Sequence, residues 1–173
     1  GNGGNGGGGL VCARRLSNAD VTVQVVLDRN PEKLSGAAAH QYRILEAMDV
    51  STTIGGTADG TSLAGRTVVD ALIGYGLDGP VRKAGRRLIE AINDSEATIL
   101  SLDVPSGIDA TTGDILGAAV DPDRTLTLAL PKTGLLEREE PLHLVDISIP
   151  GTVYERAGID YAQPFDGESS VEL

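Results

Sequence analysis

The chain has 173 residues, 40% of them hydrophobic and only 3% aromatic, which suits one α/β-sized domain with an aliphatic core. It carries 25 Asp+Glu against 14 Lys+Arg, a net charge of -11, and such a surface repels phosphate backbones, which argues against nucleic-acid binding. One cysteine, Cys12, excludes an internal disulfide, and no apolar run is long enough to span a bilayer, so no membrane role and a reducing, cytoplasmic compartment are expected.

The chain opens on Gly1-Asn2-Gly3-Gly4-Asn5-Gly6-Gly7-Gly8-Gly9, which reads as a glycine loop running into a short helix over residues 10–16. Uncovered backbone N–H groups ahead of a helix favour an anion such as phosphate. A plain flexible terminus is the alternative. A strand ordinarily precedes such a loop, and the first strand of the fold is expected to be missing here. Residues 21–27 form a β-branched run expected to be a strand. Leu34, Ala38, Tyr42, Leu45 and Met48 then recur at spacings of three and four, the pattern of an amphipathic helix. Residues 51–54 are a weaker extended segment, and residues 55–65 read as a glycine-rich surface loop.

The second half alternates more clearly. Strands are expected over residues 67–73, 97–102, 124–130 and 142–149, with helices over 81–93 and 151–157. Residues 160–173 read as an acidic, loose tail. Apolar strands alternating with helices imply an α/β, Rossmann-like, three-layer α/β/α sandwich with a mostly parallel sheet. The loops after parallel strands emerge on one rim, where ligands bind. Here that rim collects the opening glycine loop, Gly74-Tyr75-Gly76-Leu77-Asp78-Gly79-Pro80, Asp103-Val104-Pro105-Ser106-Gly107-Ile108-Asp109 and Pro131-Lys132-Thr133-Gly134. The opposite rim carries ordinary turns.

Asp70 sits inside an otherwise apolar strand, where a carboxylate needs a cation, donors or a proton. It either caps a neighbouring loop or faces a metal or ligand. Asp103 begins the loop after the next strand, and it either makes an Asx-type turn or points into the rim crevice. Asp109 reads as structural. Ser106 lacks a Gly-x-Ser-x-Gly elbow, and His40 and His143 are not placed to activate it, so a serine hydrolase is disfavoured. One cysteine and two scattered histidines disfavour a zinc site. Gly1-x-Gly3-x-x-Gly6 with Asp28 after the next strand also fits a dinucleotide fingerprint, an easy match in a chain with 23 glycines.

Together these motifs resemble the YjeF N-terminal domain family, the NAD(P)H-hydrate epimerases that include apolipoprotein A-I-binding protein. The likeness rests most on Asp70-Ala71-Leu72-Ile73-Gly74-Tyr75-Gly76-Leu77-Asp78-Gly79-Pro80-Val81 and on residues 103–109. Thr111-Thr112-Gly113-Asp114, Gly117-Ala118-Ala119-Val120 and Leu130-Pro131-Lys132-Thr133-Gly134-Leu135-Leu136 add to it. It implies a family-like domain over residues 1–159, often a homodimer, that interconverts the R and S forms of NADHX and NADPHX so that a separate dehydratase can restore the cofactor. By resemblance, Asn5, Asp70 and Ser106 would hold a potassium ion (K+). Gly4, Asn5, Gly6, Gly7, Gly8, Gly74, Tyr75, Gly76, Leu77, Asp78, Gly79, Pro80 and Asp103 would meet the substrate. Asp103 is the expected general acid–base. The opening loop departs from the common Asn-Asn-Gly-Gly-Asp-Gly pattern, since Gly4 and Gly8 replace an amide and a carboxylate. That departure keeps open a non-catalytic module of the same fold that binds a nucleotide-like ligand or serves in assembly. The acidic, lysine-poor surface further suggests a halophilic protein, whose self-repulsion is screened by salt.

Overall fold

The computed structural model describes residues 1–55 and 63–173. The described residues form α1 (Gly4–Asn18), β1 (Gln24–Leu27), α2 (Gly36–Ala47), β2 (Ser51–Ile54), β3 (Thr67–Asp70), α3 (Lys83–Asn93), β4 (Thr98–Leu102), β5 (Arg124–Leu128), β6 (Leu142–Val145), α4 (Gly151–Arg156) and β7 (Ser170–Glu172). The glycine-rich loop expected over residues 55–65 falls, for residues 56–62, outside the described residues.

β1 and β2 form one parallel pair, while β3, β4, β5 and β6 run parallel in a second sheet and β7 adds to β6 antiparallel. Period-two alternation sends the residues of β4 to opposite faces. Leu102 meets α1, where its Cδ2 would lie 3.2 Å from a β-carbon on Gly8. Ile99, on the other face, clusters with Ile89 of α3. Helices therefore cover both faces, as a parallel sheet with apolar strands requires. A second core joins α1, β1 and α2 through Leu10, Ala13, Val25, Leu27, Ala38 and Leu45.

Two expectations are corrected. The glycine run is not a loop from Gly4 onward but the first turns of α1. Glycine costs a helix about 0.5–1 kcal/mol per residue relative to alanine, yet here the small residues let the helix approach its neighbours. A β-carbon on Gly9 would collide with Cβ of Ala71, and one on Gly6 with the carbonyl of Gly1. The tail is not loose either. Its Phe165 is buried at 3% exposure, and residues 170–172 pair with β6. A strand edge left open exposes unpaired backbone groups, and the tail covers that of β6.

Among the described residues no strand pairing joins the two sheets. Between β1 and β3 runs a trench of about 750 Å³, lined along one wall by every residue from Val21 to Leu27 and along the other by every residue from Thr67 to Leu72. Consecutive residues, rather than alternate ones, line a wall when a strand presents its backbone edge.

Candidate active site at the strand-end rim

The parallel register sets Asp70, the last residue of β3, opposite Ser101 of β4, and Ser101 opposite Thr125 of β5, which runs on to Leu128. The loops after these strands emerge together, as the alternation of the sequence requires. Asp70 closes β3 and is 2% exposed. Four donors satisfy its carboxylate. Ser106 Oγ donates to Oδ1 at 2.6 Å and Leu72 N–H at 3.2 Å, while Ser106 N–H and Ser101 Oγ donate to Oδ2 at 2.8 and 2.9 Å. Burial still pushes Asp70 above the usual Asp range, and these hydrogen bonds, those of Ser106 foremost, offset it only in part. Ser106 Oγ also accepts from Ile73 N–H at 2.8 Å, so this pair staples residues 70–73 to the loop after β4.

That loop begins with strain. Asp103 has φ 69°, and Val104 N–H reaches back to the carbonyl of Leu102 at 2.9 Å, which makes a γ-turn with positive φ. Ala129, after β5, repeats this with φ 66° and a 2.7 Å bond from Leu130 N–H to Leu128 O. Such turns are rare and strained, and strain of this kind clusters at functional sites. The turn carries Asp103 inward to 6% exposure. Oδ1 lies 2.5 Å from Lys132 Nζ and accepts a long 3.4 Å bond from Leu128 N–H. Among the described residues Oδ2 accepts only a long 3.4 Å bond from Tyr75 N–H.

Asn5 closes the other side of the same hollow. A β-carbon on Gly74 would lie 3.0 Å from Asn5 Cγ and 3.0 Å from Asp103 Oδ2. The glycine thus leaves a gap between a carboxylate oxygen and a carboxamide. Asn5 Oδ1 and Nδ2 are both buried and find no hydrogen-bond partner among the described residues. A buried amide is normally satisfied, so this pair of orphans is suited to an incoming group. Among the described residues no three His, Cys, Asp or Glu side chains cluster as a metal centre. The oxygens of Asn5, Asp70 and Ser106 are of the kind a hard cation takes. Those of Asp70 and Ser106 are engaged with each other and with Ser101, Leu72 and Ile73, and the Asn5 amide oxygen has no partner among the described residues.

The sequence-derived site residues divide accordingly. Asn5, Gly74 and Asp103 come together, and Asp70 and Ser106 adjoin them through Ile73. The N–H groups of Gly4, Asn5 and Gly6 are the free ones of the α1 terminus, whereas Gly7 N–H donates to Gly3 O and Gly8 lies in the helical ladder. Tyr75 stands 75% exposed at the rim, with Gly76 and Asp78 also exposed. Leu77 instead packs against the cluster of Val81, Ile89, Ile99 and Val120, Pro80 approaches Gly117, and Gly79 turns the chain with φ 73°. Lys132 and Ser101 were given no role by the sequence. The signal for Lys132 was its place on the ligand rim of a chain with three lysines; Ser101 carried none.

Residues 1–134 match the family described as YjeF-related protein N-terminus. The chain is 43% identical over 173 residues to an NAD(P)H-hydrate epimerase of Dehalogenimonas lykanthroporepellens, covering 95% of this chain and 67% of that one. It is 39% identical over 175 residues to a bifunctional NAD(P)H-hydrate repair enzyme of Salinibacter ruber, covering 91% of this chain but 32% of the relative. The chain thus spans about a third of the bifunctional protein's length. A yeast protein of known crystal structure, ynu0, superposes with a TM-score of 0.80 at 22% identity, over all of this chain and 74% of that one, and shares the fold.

Proposed function

Since the chain belongs to the YjeF-related N-terminal family, we propose that it is an NAD(P)H-hydrate epimerase, interconverting the R and S forms of NADHX and NADPHX. The observation that carries this reading is the hollow at Gly74, where Asp103 Oδ2 and the unpartnered amide of Asn5 face one small space. In the substrate a hydroxyl stands on the carbon beside the ring nitrogen. The carbon–oxygen bond breaks with its electron pair going to oxygen, and the nitrogen lone pair forms the new C=N bond. A proton from the Asp103 carboxyl turns the departing oxygen into water. Water then adds to the opposite face, the C=N pair returns to nitrogen, and the Asp103 carboxylate takes the proton back. One carboxyl placed to exchange a proton serves both halves.

Asn5, Asp70 and Ser106 would hold a potassium ion, which would supply positive charge close to the substrate's oxygens. The free N–H groups of Gly4, Asn5 and Gly6 would meet a phosphate, as helix N-termini do, and exposed Tyr75, Gly76 and Asp78 would border the bound cofactor. Gly7 and Gly8 would act through close packing of α1, and Leu77, Gly79 and Pro80 through the shape of their loop. Residues 1–159 would form the family domain. A dehydratase would consume one epimer, and a homodimer is the assembly this reading carries. The single thiol and the cofactor substrate support a cytoplasmic setting.

The deciding experiment follows the re-equilibration of purified NADPHX epimers with and without the protein, in potassium and in sodium buffers. A faster approach to equilibrium in potassium is expected, and Asp103→Asn should lose it. A parental rate in Asp103→Asn would remove Asp103 from the chemistry. A second reading, a non-catalytic ligand-binding or assembly module, is favoured by Gly4 and Gly8, which stand where the common opening pattern of the family has an amide and a carboxylate. It predicts ligand binding with no acceleration. The acidic surface extends the proposal to a protein working in concentrated salt; equal stability in molar KCl and in dilute buffer would reject that part.

A further inference from the structure

Lys132 is one of three lysines in the chain, and it is turned inward rather than toward water, with its side chain 18% exposed. Its ammonium group lies 2.5 Å from Asp103 Oδ1 and donates to the carbonyl of Leu128 at 2.6 Å. One cation therefore bridges the two strained turns, the one at Asp103 after β4 and the one at Ala129 after β5. Tyr154 of α4 braces the second turn, since its hydroxyl donates to Ala129 O at 3.2 Å. The two oxygens of Asp103 differ as a result. Oδ1 is held by the ammonium, and Oδ2 is left toward Gly74 and Asn5.

We propose that Lys132 is a positioning residue of this site, which anchors Asp103 by Oδ1 so that Oδ2 is the oxygen presented to the reacting hydroxyl. This rests on the epimerase reading and deepens it. A rotating carboxylate would spend its time in unproductive orientations and would be pulled toward other donors. A displacement of about 1 Å at a reacting group can cost about a hundredfold in rate. Lys132 itself needs no contact with the substrate, so its loss should leave binding nearly intact.

The test uses the full chain and purified NADPHX epimers, with Lys132→Met, Lys132→Arg and Lys132→Ala beside the parent, and melting temperatures to confirm folding. Lys132→Met is expected to lower kcat by about a hundredfold while KM stays within about twofold. Lys132→Arg should recover at least about tenfold of that loss, since a guanidinium also binds a carboxylate. Ethylammonium should raise kcat of Lys132→Ala and leave the parent unchanged, a response that a purely structural lysine would not give. Should Lys132→Met not fold, the ethylammonium response decides alone. A parental kcat in Lys132→Met, a loss confined to KM, or an absent ethylammonium response overturns the role of Lys132 and leaves the epimerase reading standing. A parent that does not accelerate epimerisation overturns the reading itself, and the role with it.

Discussion

Gly74 has no positive φ to explain it, so the case for glycine there is space alone. An added β-carbon would press on Asn5 and on Asp103 Oδ2, both at 3.0 Å. Gly74→Ala should fold with a loss of about 1 kcal/mol or less and yet lower epimerase kcat/KM by at least about tenfold. Parallel urea titration and rate measurement separate the two effects; parental activity would show that the hollow is not where substrate reacts. Asp109 makes the opposite case, a carboxylate with a local structural task. Its Oδ1 accepts N–H bonds from Thr111 and Thr112 at 2.8 and 2.9 Å, and these, that of Thr112 first, hold its carboxyl below the usual Asp range. A folded carboxyl with a depressed pKa binds fewer protons than the unfolded one. Its contribution to stability is therefore complete above the ordinary Asp value and is lost as pH falls through the folded one. In Asp109→Asn the urea midpoint should fall less steeply with acidification below about pH 4 than in the parent. Equal slopes would show that the turn does not depend on the charge.

At the scale of elements, α1 sets propensity against packing. Five of its first six residues are glycines, which on propensity alone should not begin a helix. Gly4 has open space where a β-carbon would go, whereas Gly9 abuts Ala71 of the segment after β3. Gly4→Ala should raise stability by about 0.5 kcal/mol, and Gly9→Ala should lower it by about 1–3 kcal/mol despite the better helix former. Thermal or urea unfolding checks both. If both substitutions stabilise, the tight seating of α1 against the sheet is wrong, and with it the way Asn5 reaches Gly74.

At the scale of the whole molecule, the sheet is closed at one end by the tail and open at the trench. Ser170, Val171 and Glu172 pair with Val145, Leu144 and His143, and Phe165 is buried beneath the return. Removing residues 160–173 should cost about 2–3 kcal/mol, the order of one buried aromatic. It should also raise self-association, because the edge of β6 is then free to pair with another chain. Size-exclusion chromatography and urea unfolding of the shortened chain read the two. An unchanged assembly state and unchanged stability would mean that the tail only rests on the sheet.

The order of strands and helices, and the single rim on which Gly74, Asp103, Ser106 and Lys132 emerge, follow from the sequence by itself. Apolar runs and periodic helices are local patterns, and a parallel sheet sends every loop that follows a strand to the same edge. The buried carboxyl of Asp70 is legible for the same reason, as an acid within an apolar run of sequence. Other features depend on residues distant in the chain and carry no local mark. The helical state of the glycine run needs Ala71 and Leu102 as neighbours, and the strand at residues 170–172 needs the bare edge of β6. Most of all, the sequence could place Asp103 and Lys132 on one rim but not join them. Only the paired strained turns after β4 and β5, set side by side by the sheet, bring that carboxylate and that ammonium within bonding distance and leave Oδ2 to the long bond from Tyr75 N–H and the hollow at Gly74.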